Sequence, residues 1–185
     1  MMTTFPYSAL TSESETKMIP KELSRLVGLS CTSIKQAYHI WKGQIDRAQG
    51  GPVEMTWSDG SRVSLDGRSD WTLRVQSGPW HNYYEGCSRV QLKVLAIELG
   101  LWKQESVSRK EPIRPVLRRP LQTIEEILSR YDELMGVIFH FPDASLRAAT
   151  WAGEVILCSQ STMKPGWTPL IGSAQDYGLK MKAPE

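Results

Sequence analysis

Val53-Glu54-Met55-Thr56-Trp57, Ser58-Asp59-Gly60, Ser61-Arg62-Val63-Ser64-Leu65 is the stretch whose reading decides the fold. Val53, Met55 and Trp57 alternate with Glu54 and Thr56, and Val63 and Leu65 alternate with Arg62 and Ser64. A period of two puts the apolar side chains on one face of a pleated strand. Asp-Gly between two such runs signals a hairpin, because a primed turn needs positive φ at residues that tolerate it. A second turn is predicted at Asp66-Gly67, leading through Arg68, Ser69 and Asp70 into a third strand over Trp71 to Val75. Three consecutive antiparallel strands make a meander.

Upstream, Ser33 to Trp41 also alternates, with Ile34, Gln36, Tyr38 and Ile40 on one face and Lys35, Ala37, His39 and Trp41 on the other, which predicts a strand. From Pro20 the run Lys21-Glu-Leu-Ser-Arg-Leu-Val27 forms a short helix ended by Gly28. Residues 1–18 are rich in Ser and Thr and lack periodicity, as expected of a loose N-terminal arm. Downstream, Ser88 followed three residues later by Gln91, then an apolar face at Leu92, Leu95, Ala96 and Leu99 with Gly100 behind it, reads as a capped helix. A short strand is expected over Leu101 to Ser108. Arg109 to Pro120 holds Pro112, Pro115 and Pro120 among Arg109, Lys110, Arg114, Arg118 and Arg119, the composition of an extended basic connector.

Beyond the connector the first pattern returns. Thr123 to Arg130 begins as Ser33 to Ile40 does, and Val137-Ile-Phe-His-Phe141 followed by Pro142-Asp143-Ala144-Ser145 resembles Val53 to Ser61 at an offset of 84 positions (Val137 against Val53). At that offset Leu146 to Thr150 falls on Arg62 to Asp66, and Gly153 to Leu157 answers Ser69 to Leu73 after a small gap. The fold class expected is therefore α+β, mainly β: two similar antiparallel β-meander units with one or two short helices. The units run over 19–108 and 121–158, joined by the connector 109–120, and share one compact domain. The tail 159–185 is expected to cover a sheet edge with Trp167 and Leu170.

At 185 residues the chain fits one compact domain or two small ones. With 41% hydrophobic and 23% charged residues it has soluble globular usage, which argues against disorder, collagen and a membrane-spanning chain. A net charge of +2 is too small to imply a polyanionic partner for the whole molecule. No stretch approaches the ~18 apolar residues of a membrane helix, and the first thirty residues hold no leader-like apolar run. Cys31, Cys87 and Cys158 are odd in number and far apart, so they read as small buried hydrophobes in a reducing cytoplasm.

Catalytic templates fail on inspection. Gly28-Leu-Ser30-Cys-Thr32 lacks the last Gly of a nucleophile elbow, and no P-loop, dinucleotide, H-E-x-x-H or C-x-x-C pattern occurs. His39, His81 and His140 are too dispersed for a metal site. Asp66, Asp70 and Glu85 could supply an acid and base pair, although turn and capping chemistry explains Asp66 and Asp70 more simply. The basic connector could grip phosphates with Trp102 stacking a base, but Glu105 and Glu111 dilute it. The most suggestive constellation is Trp80, His81, Tyr83, Tyr84 and Glu85, rigid aromatics with polar tips of the kind that dominate protein-binding hot spots, with Asp66 and Asp70 as acidic neighbours.

Met55-Thr-Trp57-Ser-Asp59-Gly60, followed by Asp70-Trp71-Thr-Leu73, resembles small cytoplasmic bacterial proteins, among them immunity proteins of polymorphic toxin systems. The resemblance covers about residues 30–76 and, more faintly, 121–158, where Ala144 replaces Gly60. It implies a non-enzymatic inhibitor that binds a cognate protein toxin and requires no cofactor, catalytic residue or metal. No binding residue carries over from it. The expected partner is thus a protein toxin bound through Trp80, His81, Tyr83, Tyr84, Glu85, Asp66 and Asp70, with no membrane. An enzyme using a His with Asp66, Asp70 or Glu85, and a nucleic-acid binder through the connector, are the alternatives. Homodimer formation stays open.

Overall fold

The computed structural model describes residues 21–47, 50–111, 113–151, 153–159 and 180–181. The N-terminal arm, Pro20, and Trp167 and Leu170 of the tail lie outside the described residues. A short helix, α1 (Lys21–Ser24), leads through a turn to Gly28 at φ +87°. The first sheet contains β1 (Cys31–Trp41), β2 (Gln44–Asp46), β3 (Val53–Trp57), β4 (Arg62–Gly67), β5 (Leu73–Ser77) and β6 (Leu101–Ser106). Its long strand β1 pairs along one edge with β3 and β2 and along the other with β6, while β3, β4 and β5 follow in order. Helix α2 (Arg89–Glu98) lies between β5 and β6 in the chain. The second sheet runs β10 (Glu154–Ser159), β9 (Ala144–Trp151), β8 (Leu134–Phe141), β7 (Thr123–Leu128) and β11 (Lys180–Met181). Every pairing is antiparallel.

The protein is therefore mainly β, with two similar meanders as the alternation predicts: β1-β3-β4-β5 and β7-β8-β9-β10 share one strand order. Their registers correspond as well. Ile34 pairs with Met55 as Ile124 pairs with Phe139. The constant offset of 84 does not survive the hairpins. Met55 pairs with Val63 and Phe139 with Leu146, so Leu146 stands on Val63 and not, one residue earlier, on Arg62. The cause is loop length. Gly60 at φ +82° adds a third loop residue between Trp57 and Ser61, whereas Pro142-Asp143 closes the second hairpin with two. Since a slip of one residue turns every side chain to the other face, only the corrected register keeps Leu146 and Val63 both in the core.

Other turns differ from expectation. Only Gly60, and not Asp59, has positive φ, so the first hairpin closes through a three-residue loop and not a two-residue primed turn. Asp59 contributes a side-chain acceptor to the Ser61 N–H at 2.9 Å. The primed turn occurs instead at Lys42 and Gly43 (φ 49° and 77°), which join β1 to the additional strand β2. Asp66-Gly67 is not a turn: both residues belong to β4, and the chain reverses over 68–72, delaying β5 to Leu73. Gly67 serves close approach, because a Cβ there would lie 2.4 Å from the Gly153 carbonyl of the other meander. Nor is 109–120 simply extended. Its described residues form a turn and a 3-10 segment, Arg114–Val116, with Val116 and the preceding Ile113 buried, while Arg118 N–H donates to Cys31 O at 2.7 Å and, just beyond, Leu121 N–H to Leu29 O at 2.8 Å.

The two sheets pack face to face around one cluster of buried side chains drawn from both, with Trp57 against Phe139 at 6.2 Å between ring centroids. At one end Trp71, held at φ +73°, meets Trp151 edge-on at 5.2 Å, and its carbonyl accepts from the Thr150 hydroxyl. At another point the sheets are hydrogen-bonded directly. Val155 N–H donates to Gly50 O at 2.8 Å, and Val155 O accepts from the Gln36 amide at 2.8 Å. A Cβ on Gly50 would fall 2.4 Å from Val155 O and 2.5 Å from Gln36 Nε2, so this clamp requires glycine for space and not for φ.

Gly50→Ala is expected to destabilise the fold more than Gly60→Ala, where the space is open and only the left-handed backbone, costing about 1–2 kcal/mol, opposes a side chain. Gln36→Leu should cost about 1–3 kcal/mol for each buried group it leaves unpartnered. Urea midpoints for the three variants check the order, and equal costs for the two glycines would remove the clamp as a determinant.

Candidate binding surface on the outer face of the first sheet

The face of the first sheet turned away from the second sheet carries Glu54 on β3 and Ser64 and Asp66 on β4, side by side by register. Residues 78–100 form a layer over this face, which explains why polar Glu54 and Ser64 are buried at 3% and 4% exposure. Glu54 is the anchor of that layer. Its carboxylate accepts from the Trp80 backbone N–H at 3.0 Å, from Lys35 Nζ at 3.3 Å and from Gln104 Nε2 at 3.5 Å. Burial raises its pKa, but these donors outweigh burial and leave it below the ordinary glutamate value.

From Trp80 the aromatic segment folds onto itself. Trp80 and His81 each meet the Tyr83 ring edge-on at 5.7 Å, and Tyr83 Oη donates to Asp66 Oδ2 at 3.1 Å. Burial pushes the Asp66 carboxyl above its usual range, against the opposing Tyr83 hydroxyl and Arg74 charge. The same burial, with the Asp66 charge beside it, pushes Tyr83 up to about 12, so the phenol remains a donor. Glu54 and Asp66 thus sit on one sheet face with pKa values displaced in opposite directions.

Of the residues singled out by sequence, Trp80, His81, Tyr83 and Asp66 come together. Tyr84 is half-buried, its hydroxyl accepting from the Trp102 N–H at 2.7 Å, which pins the layer to β6. Glu85 is exposed in the turn before α2, and Asp70 is engaged at the 68–72 turn, accepting from Thr72 N at 3.0 Å and Thr72 Oγ1 at 2.6 Å.

Helix α2 forms as its sequence predicts, with a complete capping box between Ser88 and Gln91 and Gly100 at φ +75° beyond its end. His39 Nε2–H donates to Leu99 O at 2.8 Å and Trp41 Nε1–H to Ile97 O at 3.3 Å, holding its last turn to β1. The expected apolar face is only half-buried at Leu95 and Ala96, and Leu99 is exposed. A second stripe points outward: Val90, Val94 and Ile97 are 71%, 46% and 70% exposed, with Trp41 at 50% beside them. Its spacing of four and then three residues is readable in the sequence, beside the side formed by Leu92, Leu95, Ala96 and Leu99.

Elsewhere, the connector's cations are dispersed: Arg119 is paired with Asp143, and Trp102, the candidate base stacker, is half-buried with its ring 5.3 Å from His39. Burial pushes the Cys31 thiol up to about 12 and raises Cys158, so both stay protonated. No His, Cys, Asp and Glu cluster suited to a metal occurs among the described residues. On the outer face of the second sheet, His140 lies between Ser145 Oγ (Nδ1, 2.9 Å) and Glu125 Oε2 (Nε2, 3.1 Å). No helix among the described residues is long and apolar enough to cross a membrane. Comparison with protein-family models, curated proteins and solved structures finds no match.

Because folding lowers the Glu54 pKa, its carboxylate adds stability above the ordinary glutamate value of 4.5, and the contribution is lost as pH falls through the lowered folded value. Asp66 has the opposite sign: with its folded pKa raised above 3.8, ionisation opposes folding at neutral pH and not in acid. Glu54→Gln should therefore lose stability at pH 7 and Asp66→Asn gain it, both differences shrinking in acid. Thermal melts across pH 3 to 8 check this, and a like sign for the two variants would contradict it.

Proposed function

We propose that this chain is a non-enzymatic protein-binding protein whose docking surface is the layer over the first sheet, and that it acts in the cytoplasm as an immunity protein holding a cognate bacterial toxin inactive. One observation carries the binding reading. Of nine exposed large apolar side chains among the described residues, Trp41, Tyr83, Val90, Val94, Ile97 and Leu99 belong to this layer or border it. Scattered apolar residues are ordinary on a protein surface, whereas a gathered patch marks an interaction site. Trp41 and Tyr83 are also held in place by hydrogen bonds, to Ile97 O and Asp66, so little side-chain freedom remains to be lost on binding. The toxin as partner rests on the sequence resemblance alone.

A second reading, hydrolysis, is favoured by Glu125, His140 and Ser145. With Nε2–H directed at Glu125, His140 Nδ1 can take the Ser145 proton as the hydroxyl attacks an ester carbonyl. Ser145 lies in a paired strand and not at a strained turn, which ranks this reading second. Labelling of Ser145 by a fluorophosphonate, abolished in His140→Ala, would support it; an unlabelled Ser145 dismisses it.

The binding reading predicts that the tagged chain co-purifies from its native cells with one stoichiometric protein that is toxic when produced alone. Ile97→Asp, a surface change worth within about 0.5 kcal/mol to folding, should cost at least about 2 kcal/mol of binding, or roughly 30-fold in Kd, and abolish protection. Capture and protection unaffected by Ile97→Asp and Tyr83→Ala would overturn the assignment of the surface.

A further inference from the structure

The outward stripe of helix α2 has an order as well as a composition. Val90, Val94 and Ile97 follow one another at intervals of four and then three residues and are 71%, 46% and 70% exposed. That step is the d-a-d step of a heptad, the spacing with which one helix meets another along a seam. The positions flanking the seam are then fixed: Lys93 precedes the a residue and stands at g, and Glu98 follows the last d residue and stands at e. With 3.6 residues to a turn, Lys93 lies on one side of the stripe and Glu98 on the other. Both are exposed, and neither forms an ion pair among the described residues.

Opposite charges on the two flanks make the stripe complementary to a copy of itself in one orientation. In a parallel pair related by a two-fold along the seam, the g side of one helix faces the e side of the other, and each g residue meets the e residue five positions further on. Lys93 and Glu98 are five positions apart, so such a pair closes two reciprocal ion pairs, one on each side of the seam. An antiparallel pair brings each flank against itself and sets Lys93 and the exposed Arg89 against the same two cations of the copy. Trp41 extends the seam beyond Ile97: its indole N–H donates to Ile97 O at 3.3 Å, and the residue is 50% exposed. The helix needs no second copy in order to form, since its capping box and the bonds from His39 and Trp41 hold it within the single chain.

We propose that the free protein forms a two-fold dimer in which α2 pairs in parallel with α2 of a second copy, Val90, Val94 and Ile97 each meeting their own counterparts and Lys93 meeting Glu98 of the other helix. Three aliphatic side chains and one indole fall short of the about 800 Å² per partner of a standard stable interface, so the dimer is weak, with a Kd on the order of 0.1 mM. A protein that docks on the same layer displaces the second copy. The dimer does not rest on the binding reading, because it is a property of the purified chain and requires only the exposed seam and its two flanking charges.

Sedimentation equilibrium of the purified full chain from about 10 µM to about 1 mM, on either side of that Kd, is expected to show a monomer–dimer equilibrium that weakens as salt is raised. Lys93→Glu and Glu98→Lys each turn both ion pairs into repulsions and should weaken association at least about fivefold, although neither surface change disturbs the fold. An equimolar mixture of the two variants restores opposite charges across the seam and should associate within about twofold of wild type. On a Cys87→Ser background, Val90→Cys and Ile97→Cys should each give a disulfide-linked dimer under mild oxidation, because residues on a parallel seam meet their own copies. A chain that stays monomeric at about 1 mM overturns the proposal, as does a trimer, association that neither charge reversal alters, or a disulfide that forms only when the two cysteine variants are mixed, the mark of an antiparallel pair. A monomeric chain that still captures a toxin leaves the binding reading standing, so the two fail separately.

Discussion

Val155 has both of its outward peptide groups bonded to the other sheet, and this two-sided contact is the constraint on which the arrangement of the sheets depends. β10 is the edge strand of its sheet, so its outer N–H and C=O groups would otherwise face solvent or another chain's strand. Gly50 and Gln36 meet them instead. The contact fixes β10 against β1 at one height, because a main-chain bond and a buried amide are directional where apolar packing is not. It also brings in Tyr38, whose hydroxyl donates to Gln36 Oε1 at 3.1 Å, so that one cluster of bonds joins the edge strand to the interior side of β1. On the opposite side of the second sheet, β7 is covered by the edge strand β11.

The alternation of Val53, Met55 and Trp57 and its echo at Val137, Phe139 and Phe141 make the two meanders legible in the sequence, since burial of one sheet face imposes that period. Features that the period does not encode are not legible in this way. Asp66-Gly67 has turn composition, yet Gly67 is needed inside a strand because the other meander approaches it, a long-range fact absent from local sequence. The changes of offset at the hairpins are hidden for a related reason: they depend on whether a loop spends two residues or three, and Gly60 against Ala144 is the one visible sign. Lys42-Gly43, in contrast, has readable turn composition, but the strand it introduces, β2, is only three residues long and too short to show a period.

The first sheet is unusual in burying polar side chains on both faces, Gln36 toward the second sheet and Glu54 toward the outer layer. Each is a fastening. Gln36 fastens a strand and Glu54 fastens the start of the aromatic segment through the Trp80 N–H, in both cases by satisfying a main-chain group that lacks a ladder partner. Residue type alone marks Trp80, Tyr83 and Tyr84 in the sequence. Their surroundings separate Tyr84, whose hydroxyl is committed to the Trp102 N–H, from Tyr83, which is anchored at its tip and exposed along its ring.

Helix α2 bears most directly on function because packing alone does not account for it. None of its residues is buried, and what holds it is polar: a capping box at one end, His39 and Trp41 donating to carbonyls at the other. A helix secured in this way tolerates polar residues on its outward side at no cost to the isolated chain, and a soluble surface favours them. Val90, Val94 and Ile97 are apolar nonetheless, aligned by helical spacing and continued by Trp41. The fold does not require these side chains, so a reason for them has to be sought in a surface that meets them.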